Sequence, residues 1–434
     1  VPVATPDEVA AAVKTARGAT VAWARTASAE RAAALHRAAD AVAADIDRLA
    51  EIMHAEMGKP VADARGSIEA GIGTLRQYAE LGPVHRGRSL AGAHDAIDLM
   101  VYQPRGVVAA ITPWNDPVAV SCGLLGAALV TGNTVVYKPS ERTPATGWAL
   151  TRLLVPYLPT GVVSMLTGAG EVGAALAGAD VDVVAHVGST TTGRAIAATC
   201  ARTGAKALLE NGGSDALIVD ADVDPVWAAE QAALGAFANS GQICVAVERI
   251  YAHRTVADAF LVALVEQAAR WAGRIGPLVD VRHRERVHAQ VVAAVAAGAR
   301  VCHGGVVPDG PGAFYPPTVL ADCADDMAVL ADETFGPVAP VLVVDSFDEA
   351  LARAGRSPYG LAATVLTASM SHAQEAWWQL PVGTVKVNAA FGGAPGGAAH
   401  PRRGSGHGFG YGPELLDELT VTKAVHLQAP PSGW

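Results

Sequence analysis

Nowhere does this chain hold an apolar run long enough to cross a bilayer. The longest, Val118–Val130, is interrupted by Ser121 and by three glycine or cysteine positions. Its five cysteines, Cys122, Cys200, Cys244, Cys302 and Cys323, are odd in number, widely spaced and free of any C-x-x-C pair. That excludes a disulfide framework and points to reduced thiols in the cytoplasm. Basic charge is short as well: 32 Lys and Arg against 42 Asp and Glu leave a formal net charge of −10. Such a chain repels polyanions, so nucleic acid is not an expected partner, and Arg402-Arg403 is too small a patch to reverse this. The absence of G-x-S-x-G, H-E-x-x-H and Walker patterns removes support for serine hydrolase, zincin and P-loop readings. The 13 histidines are scattered. His283 and His288 fall on a charged helix expected to be solvated, so no metal site is expected. No signal-peptide pattern opens the chain, and Val1 suggests a trimmed start. A cytoplasmic protein without membrane attachment is the expectation.

What the chain does have is buried mass. With 51% hydrophobic and 17% charged residues over 434 positions, it reads as a globular enzyme of two or three domains. The first third is helical. Thr5-Pro6-Asp7-Glu8 forms a capping box with proline at the first helical position. From Ala29 to Met57, Leu35, Ala39, Val42, Ile46, Leu49 and Ile52 recur at helical spacing until Gly58 and Pro60 stop the helix. From Gly106 the period changes. Strand-like runs at Val107–Thr112, Thr134–Lys138, Val162–Leu166, Val183–Val187 and Ala205–Leu209 alternate with helical segments such as Pro144–Val155, capped by Thr143. This order predicts a parallel, doubly wound sheet, with ligands beyond the carboxyl ends of its strands. A second α/β block runs from about Asp215 to Gly410, with a helix at Asp224–Phe237 and strands at Arg249–Ala252, Val341–Val344 and Thr384–Val387. Glycine crowds Gly392–Gly412, as a lid loop or as tight turns. Leu419–Leu427 resembles an edge strand.

Two places carry the pattern of chemistry. Gly168-Ala169-Gly170-Glu171-Val172-Gly173 fits G-x-G-x-x-G after a strand, yet lacks the acid expected about 20 residues later. Glu141 could take that role, or the glycines could serve only packing. Gly188-Ser189-Thr190 also opens a helix after a strand, placing backbone amides where a pyrophosphate could meet them. The sharper signal is Asn239-Ser240-Gly241-Gln242-Ile243-Cys244: small and polar neighbours set Cys244 apart from the four other cysteines, which fit a core or surface position.

Together with Pro113-Trp114-Asn115-Asp116-Pro117, Lys138-Pro139-Ser140-Glu141, Glu210-Asn211-Gly212-Gly213, Glu333-Thr334-Phe335-Gly336-Pro337 and Tyr359-Gly360-Leu361-Ala362, these segments resemble the aldehyde dehydrogenase superfamily, in its order and nearly along the whole chain. The resemblance implies an α/β fold: a Rossmann-like NAD-binding domain (1–85 and 105–209), an α/β catalytic domain (210–410) and a small β oligomerisation element (86–104 and 418–430). It implies a homodimer or homotetramer acting on a small-molecule aldehyde. Cys244 would attack the carbonyl and carry a thioester. Asn115 and the Cys244 amide would hold the oxyanion. Glu210 would activate the hydrolytic water. Trp114, Lys138, Ser140, Glu141, Gly170, Gly173, Gly188, Ser189, Glu333 and Phe335 would hold NAD, with NADP as the weaker cofactor. For Glu333 a structural salt bridge is the competing reading. A CoA-acylating semialdehyde dehydrogenase is one alternative, opposed by Glu210. A retired binding or structural relative is another, opposed by the intact Cys244, Asn115 and Glu210.

The chain also departs from that pattern. Leu124 stands where many relatives have a lysine, and Gly410 where its glutamate partner falls, so a proton relay is missing at both ends. Ala398-Ala399-His400-Pro401 replaces a P-F-G-G pattern. On the substrate side the resemblance places Asp116, Gly123, Ala238, Ile243, Val245 and Ala399, and four of these (Asp116, Gly123, Ala238, Ala399) replace frequent aromatics. A wider pocket follows, suited to a bulky, polar or amine-bearing aldehyde. Asp116 must face water, meet a protein cation or meet such a substrate group, because a buried unpaired charge is costly.

Overall fold

A computed structural model describes residues 2–392 and 398–430. Helices come first, at Pro6–Arg25, Ser28–Ala44, Ile46–Met57 and Val61–Leu81. The Thr5 capping box is present, with the Thr5 hydroxyl accepting from the Glu8 amide and the Glu8 carboxylate accepting from the Thr5 amide. The single helix expected from Ala29 to Met57 is two: the chain breaks at Asp45 (φ −112°, ψ 19°) and ends where Gly58 turns left-handed at φ +76°. Apolar spacing survives the break because the residues on both sides enter the same core.

Among the described residues three sheets follow. The first has six strands in the order Gly406–His407, Lys206–Glu210, Val183–Val187, Val107–Ile111, Thr134–Lys138, Val163–Met165. All are parallel except Gly406–His407, which runs antiparallel to Lys206–Glu210. Val107–Ile111 and Thr134–Lys138 are buried throughout, because helices cover both faces; hence their unbroken apolar runs. The strand order reverses between Val107–Ile111 and Val183–Val187, and a crevice opens at such a switch point. The second sheet has seven strands in the order Arg300–His303, Thr318–Ala321, Val338–Val344, Val247–His253, Asp215–Val219, Ala362–Leu366, Thr384–Val387. The third is a three-stranded antiparallel sheet of Arg88–Leu90, Ala96–Pro104 and Thr420–Gln428.

The helix Pro144–Leu154 starts where expected, but Thr143 does not cap it. Its first amides, those of Ala145 and Thr146, donate instead to the Glu56 carboxylate at 2.7 and 2.8 Å. A carboxylate from 89 residues upstream outcompetes the local hydroxyl by bonding two amides and the Thr146 hydroxyl together. Of the glycine-rich stretch Gly392–Gly412, residues 393–397 lie outside the described residues; the remainder holds a one-turn helix at Arg403–Ser405 and the short edge strand. No helix of the described residues is long and apolar enough to cross a membrane.

Candidate active site

The first sheet's carboxyl ends and the second sheet's amino ends meet along one seam. Glu210 closes a strand of the first sheet, and Asp215 opens one of the second five residues on. Between them, Gly212 and Gly213 let two groups come close. A Cβ on Gly212 would overlap the Glu333 carboxylate, and one on Gly213 would lie 2.8 Å from the Cys244 carbonyl oxygen. The strap is held by Ser405, whose hydroxyl donates to the Gly212 carbonyl at 2.8 Å and accepts from the Gly360 amide at 3.0 Å.

Cys244 reaches the seam from the other side, three residues before the strand Val247–His253. The chain leading to it is left-handed for three residues, Asn239 (φ 49°), Ser240 (φ 58°) and Gly241 (φ 71°). Each non-glycine there costs about 1–3 kcal/mol of strain. Specific bonds hold the turn: Ser240 Oγ donates to the Gly276 carbonyl at 2.7 Å, and Gln242 Oε1 accepts from the Val279 amide at 2.9 Å. Asn115, from the loop after Val107–Ile111, donates through Nδ2 to the Gln242 carbonyl at 3.0 Å. An amide has two N–H bonds, and among the described residues this one engages one of them.

Electrostatics set the resting states. Burial pushes the Cys244 thiol up to about 12, helped by Glu210, Asp215, Glu333 and Asp116. The resting group is a thiol. Burial raises Glu210 to about 7, partly opposed by the Gly410 amide, which donates to Oε1 at 3.2 Å. Glu333 is raised to about 7 by burial and accepts from the Gly213 amide at 3.0 Å.

One cavity of about 1230 Å³ contains every catalytic and cofactor residue expected from the sequence: Cys244, Glu210 and Asn115 with Trp114, Lys138, Ser140, Glu141, Gly170, Gly173, Gly188, Ser189, Glu333 and Phe335. Lys138 is tied by carbonyls, those of Pro139 at 2.8 Å and Gly168 at 2.7 Å, leaving one of its three N–H bonds for a ligand. A Cβ on Gly173 would lie 3.4 Å from Lys138 Cε, whereas one on Gly170 would meet nothing. The first glycine therefore packs the lysine and the second faces open space, so both readings of the glycine motif have a physical basis. Gly188 lies over the His186 ring, which is buried among the cavity walls. Open glycine backbone, a helix start at Ser189 and a buried lysine make a cradle that fits the phosphates and ribose of a dinucleotide.

On the substrate side, Asp116, Ala238 and Ile243 line the cavity, but Gly123, Val245 and Ala399 are not among its walls. Gly123 turns toward the helix Val61–Leu81, where its nearest neighbour for a Cβ is Thr74 Cγ2 at 3.9 Å. After Cys244 the turn closed by the Ala246 amide on the Ile243 carbonyl (2.9 Å) carries the chain away. Ala399 is half-buried elsewhere. Asp116 meets a protein cation: Lys59 Nζ lies 3.9 Å from its Oδ1 and donates to Ser67 Oγ at 2.9 Å. Burial raises the Asp116 carboxyl, and Lys59 opposes the rise.

Other residues were silent in the sequence. His283, expected on a solvated helix, is 5% exposed, because the Asp280-capped start of its helix turns it inward. Its Nε2–H donates to the Phe335 carbonyl at 2.7 Å, and its ring stands edge-on to Trp114. Burial lowers it to about 4, so it is neutral near pH 7. Glu248 accepts from the Thr334 and Phe335 amides at 2.9 and 2.7 Å, fixing the turn that carries Glu333. Lys59 lies in Gly58-Lys59-Pro60, where the helix-stop pattern gave no hint of a cation buried at 5% exposure.

With this geometry in place, a family model described as the aldehyde dehydrogenase family matches residues 1–425. A 3,6-anhydro-α-L-galactose dehydrogenase of Streptomyces coelicolor is 37% identical, over 99% of this chain and 90% of its own. A succinate-semialdehyde dehydrogenase of Paenarthrobacter nicotinovorans is 34% identical over 98% of each. The crystal structure of an NAD-dependent aldehyde dehydrogenase from Sinorhizobium meliloti superimposes at a TM-score of 0.95, with 33% identity over 100% of this chain and 89% of that one.

Proposed function

The chain belongs to the aldehyde dehydrogenase family and oxidises an aldehyde to a carboxylic acid with NAD; from that premise we propose that Cys244, Asn115 and Glu210 carry the reaction. The observation behind this is their convergence in one cavity with the whole expected cofactor set. Cys244 sulfur attacks the aldehyde carbon as its proton passes to solvent water and the carbonyl electron pair moves onto oxygen, since at about 12 the free thiolate is scarce at neutral pH. Asn115 Nδ2 and the Cys244 amide receive the oxyanion. Lys138, Glu141, Glu333 and the glycine turns would hold NAD, whose nicotinamide ring when bound would accept the hydride from the adduct. Glu210 then removes a proton from water, the hydroxyl adds to the thioester, and the carbon–sulfur bond breaks to release acid and thiolate. The Glu141 carboxylate suits a ribose hydroxyl and repels a 2′-phosphate, which makes NADP the weaker cofactor; greater NADP use by Glu141→Ala checks this. Cys244→Ala should bind NAD yet lose oxidation; turnover above a small fraction of wild type contradicts the assignment.

For the substrate, the relatives point in different directions, a hydroxylated sugar aldehyde and a carboxylated one. The Lys59–Asp116 pair supports the first. Asp116 neutralises the cation that a substrate carboxylate would need, and Lys59 does the same for an amine. Together with Ser67 the pair offers donors and acceptors to neutral hydroxyl groups. A hydroxylated aldehyde should therefore be preferred over its deoxy isostere, and Asp116→Asn should shrink that kcat/KM ratio. An unchanged ratio removes Asp116 from substrate recognition.

We assign 1–85 and 105–209 to cofactor binding, 210–410 to catalysis, and 86–104 with 418–430 to a homodimer or homotetramer contact. The third sheet exposes Leu90, Ile97, Val421 and Leu427, apolar side chains that a partner subunit would cover. Five unpaired cysteines accord with the reducing cytoplasm.

A further inference from the structure

Three glycines around the edge strand are explained by their backbone: Gly406, Gly408 and Gly412 have φ of +116°, +84° and +78°. Gly410 is not among the left-handed residues, so the main chain there would accept alanine. Its reason lies in space. A Cβ on Gly410 would overlap Glu210 Cγ and sit 2.6 Å from Oε1 and 2.7 Å from Cδ. From the same residue the amide donates to Glu210 Oε1 at 3.2 Å, and among the described residues this is the carboxylate's one hydrogen bond. The edge strand Gly406–His407 builds this approach. It pairs antiparallel with Lys206–Glu210, Gly406 opposite Glu210. The chain then turns, with the Gly408 amide donating to His400 Nε2 at 3.0 Å and the Phe409 amide to Glu418 Oε1 at 3.2 Å, and returns past Glu210.

We propose that Gly410 is the positioning residue for the hydrolytic base: its bare α-carbon and its N–H form the seat that holds the Glu210 carboxylate beside the cavity. The proposal rests on Glu210 being that base. The seat does two things. It leaves the Glu210 carboxylate the volume that any side chain at 410 would take. Its N–H also favours the ionised carboxylate, the form that accepts a proton from water. The missing relay acquires a physical meaning. Leu124 is buried and apolar, and a carboxylate at 410 would compete with Glu210 for the same space.

The test needs no cofactor. An activated ester such as p-nitrophenyl acetate acylates Cys244, with nitrophenolate leaving, and the thioester then waits on Glu210 and water. In Gly410→Ala the added methyl meets a flexible side chain rather than backbone, so Glu210 is displaced and the protein folds. Nitrophenolate should burst to one per active site, and the acetyl-enzyme lifetime, read by intact mass, should lengthen about tenfold or more. Glu210→Gln should lengthen it about 100-fold. The pH midpoint of deacylation should move up in Gly410→Ala, because the displaced carboxylate no longer accepts from the backbone N–H of residue 410 that favoured its ionised form. If Gly410→Ala lowers Tm, the same change in a Glu210→Ala background should lower it less, since the clash is gone. A wild-type lifetime and midpoint in Gly410→Ala, or equal Tm losses in both backgrounds, overturns the seat. A wild-type lifetime in Glu210→Gln overturns Glu210 as the base, a failure distinguishable from that of Gly410.

Discussion

Cys244 and Glu210 share a cavity wall, and the Glu210 carboxylate makes a charge on Cys244 costlier. The thiol is pushed to about 12 with Glu210 as the first carboxylate in its surroundings, and burial lifts Glu210 to about 7. Two consequences follow for pH. Without cofactor, Cys244 should react with iodoacetamide far more slowly at pH 8 than a free cysteine does, and Glu210→Gln should speed it by removing a nearby negative charge. An alkylation midpoint near 8.5, the value for an unperturbed thiol, contradicts this. Deacylation should rise with pH through about 7 as Glu210 ionises, then level off. The sequence disclosed Cys244 because polar, small neighbours are unusual around a buried cysteine. It could not disclose His283, Lys59 or Glu248. A histidine between arginines reads as surface, and only the folded chain shows His283 beneath Trp114 and Phe335.

At the scale of elements, alternation of period made the first sheet legible almost to the residue: Thr134–Lys138 and Val183–Val187 match their expected bounds. Where sequence and structure part, a distant group has overridden a local one. Glu56 replaces Thr143 as the cap of Pro144–Leu154, and Asp45 breaks a helix whose apolar spacing runs on. The left-handed turn at 239–241 had only its Asn-Ser-Gly composition to announce it. Gly241 is the strictest position, since a Cβ there would overlap the Gly336 carbonyl and lie 2.8 Å from Pro337 N. Gly241→Ala should therefore displace either the Cys244 turn or the segment after Glu333 and Phe335. We expect about 1–3 kcal/mol of lost stability with a weaker grip on NAD. Unchanged Tm and unchanged NAD affinity would falsify this account of the turn.

At the scale of the molecule, the site sits where two sheets of opposite polarity face each other. The first contributes the carboxyl ends of its strands, as parallel sheets commonly do, and the second contributes the amino ends of Val247–His253 and Val338–Val344. No motif on either sheet predicts that junction; the Gly212-Gly213 strap reveals it only once Glu333 and Cys244 are seen on either side. The third sheet stands apart, and Leu427→Asp should lower the oligomer mass in light scattering if it is the subunit contact; an unchanged mass assigns the contact elsewhere. In the proposed chemistry Cys244 carries the acyl group and Glu210 frees it. Rapid-quench kinetics of Glu210→Gln with NAD and a good aldehyde test it most directly. A burst of NADH near one per active site should precede turnover about 100-fold slower than wild type. A progress curve without a burst, every step slowed alike, contradicts it and moves the base elsewhere.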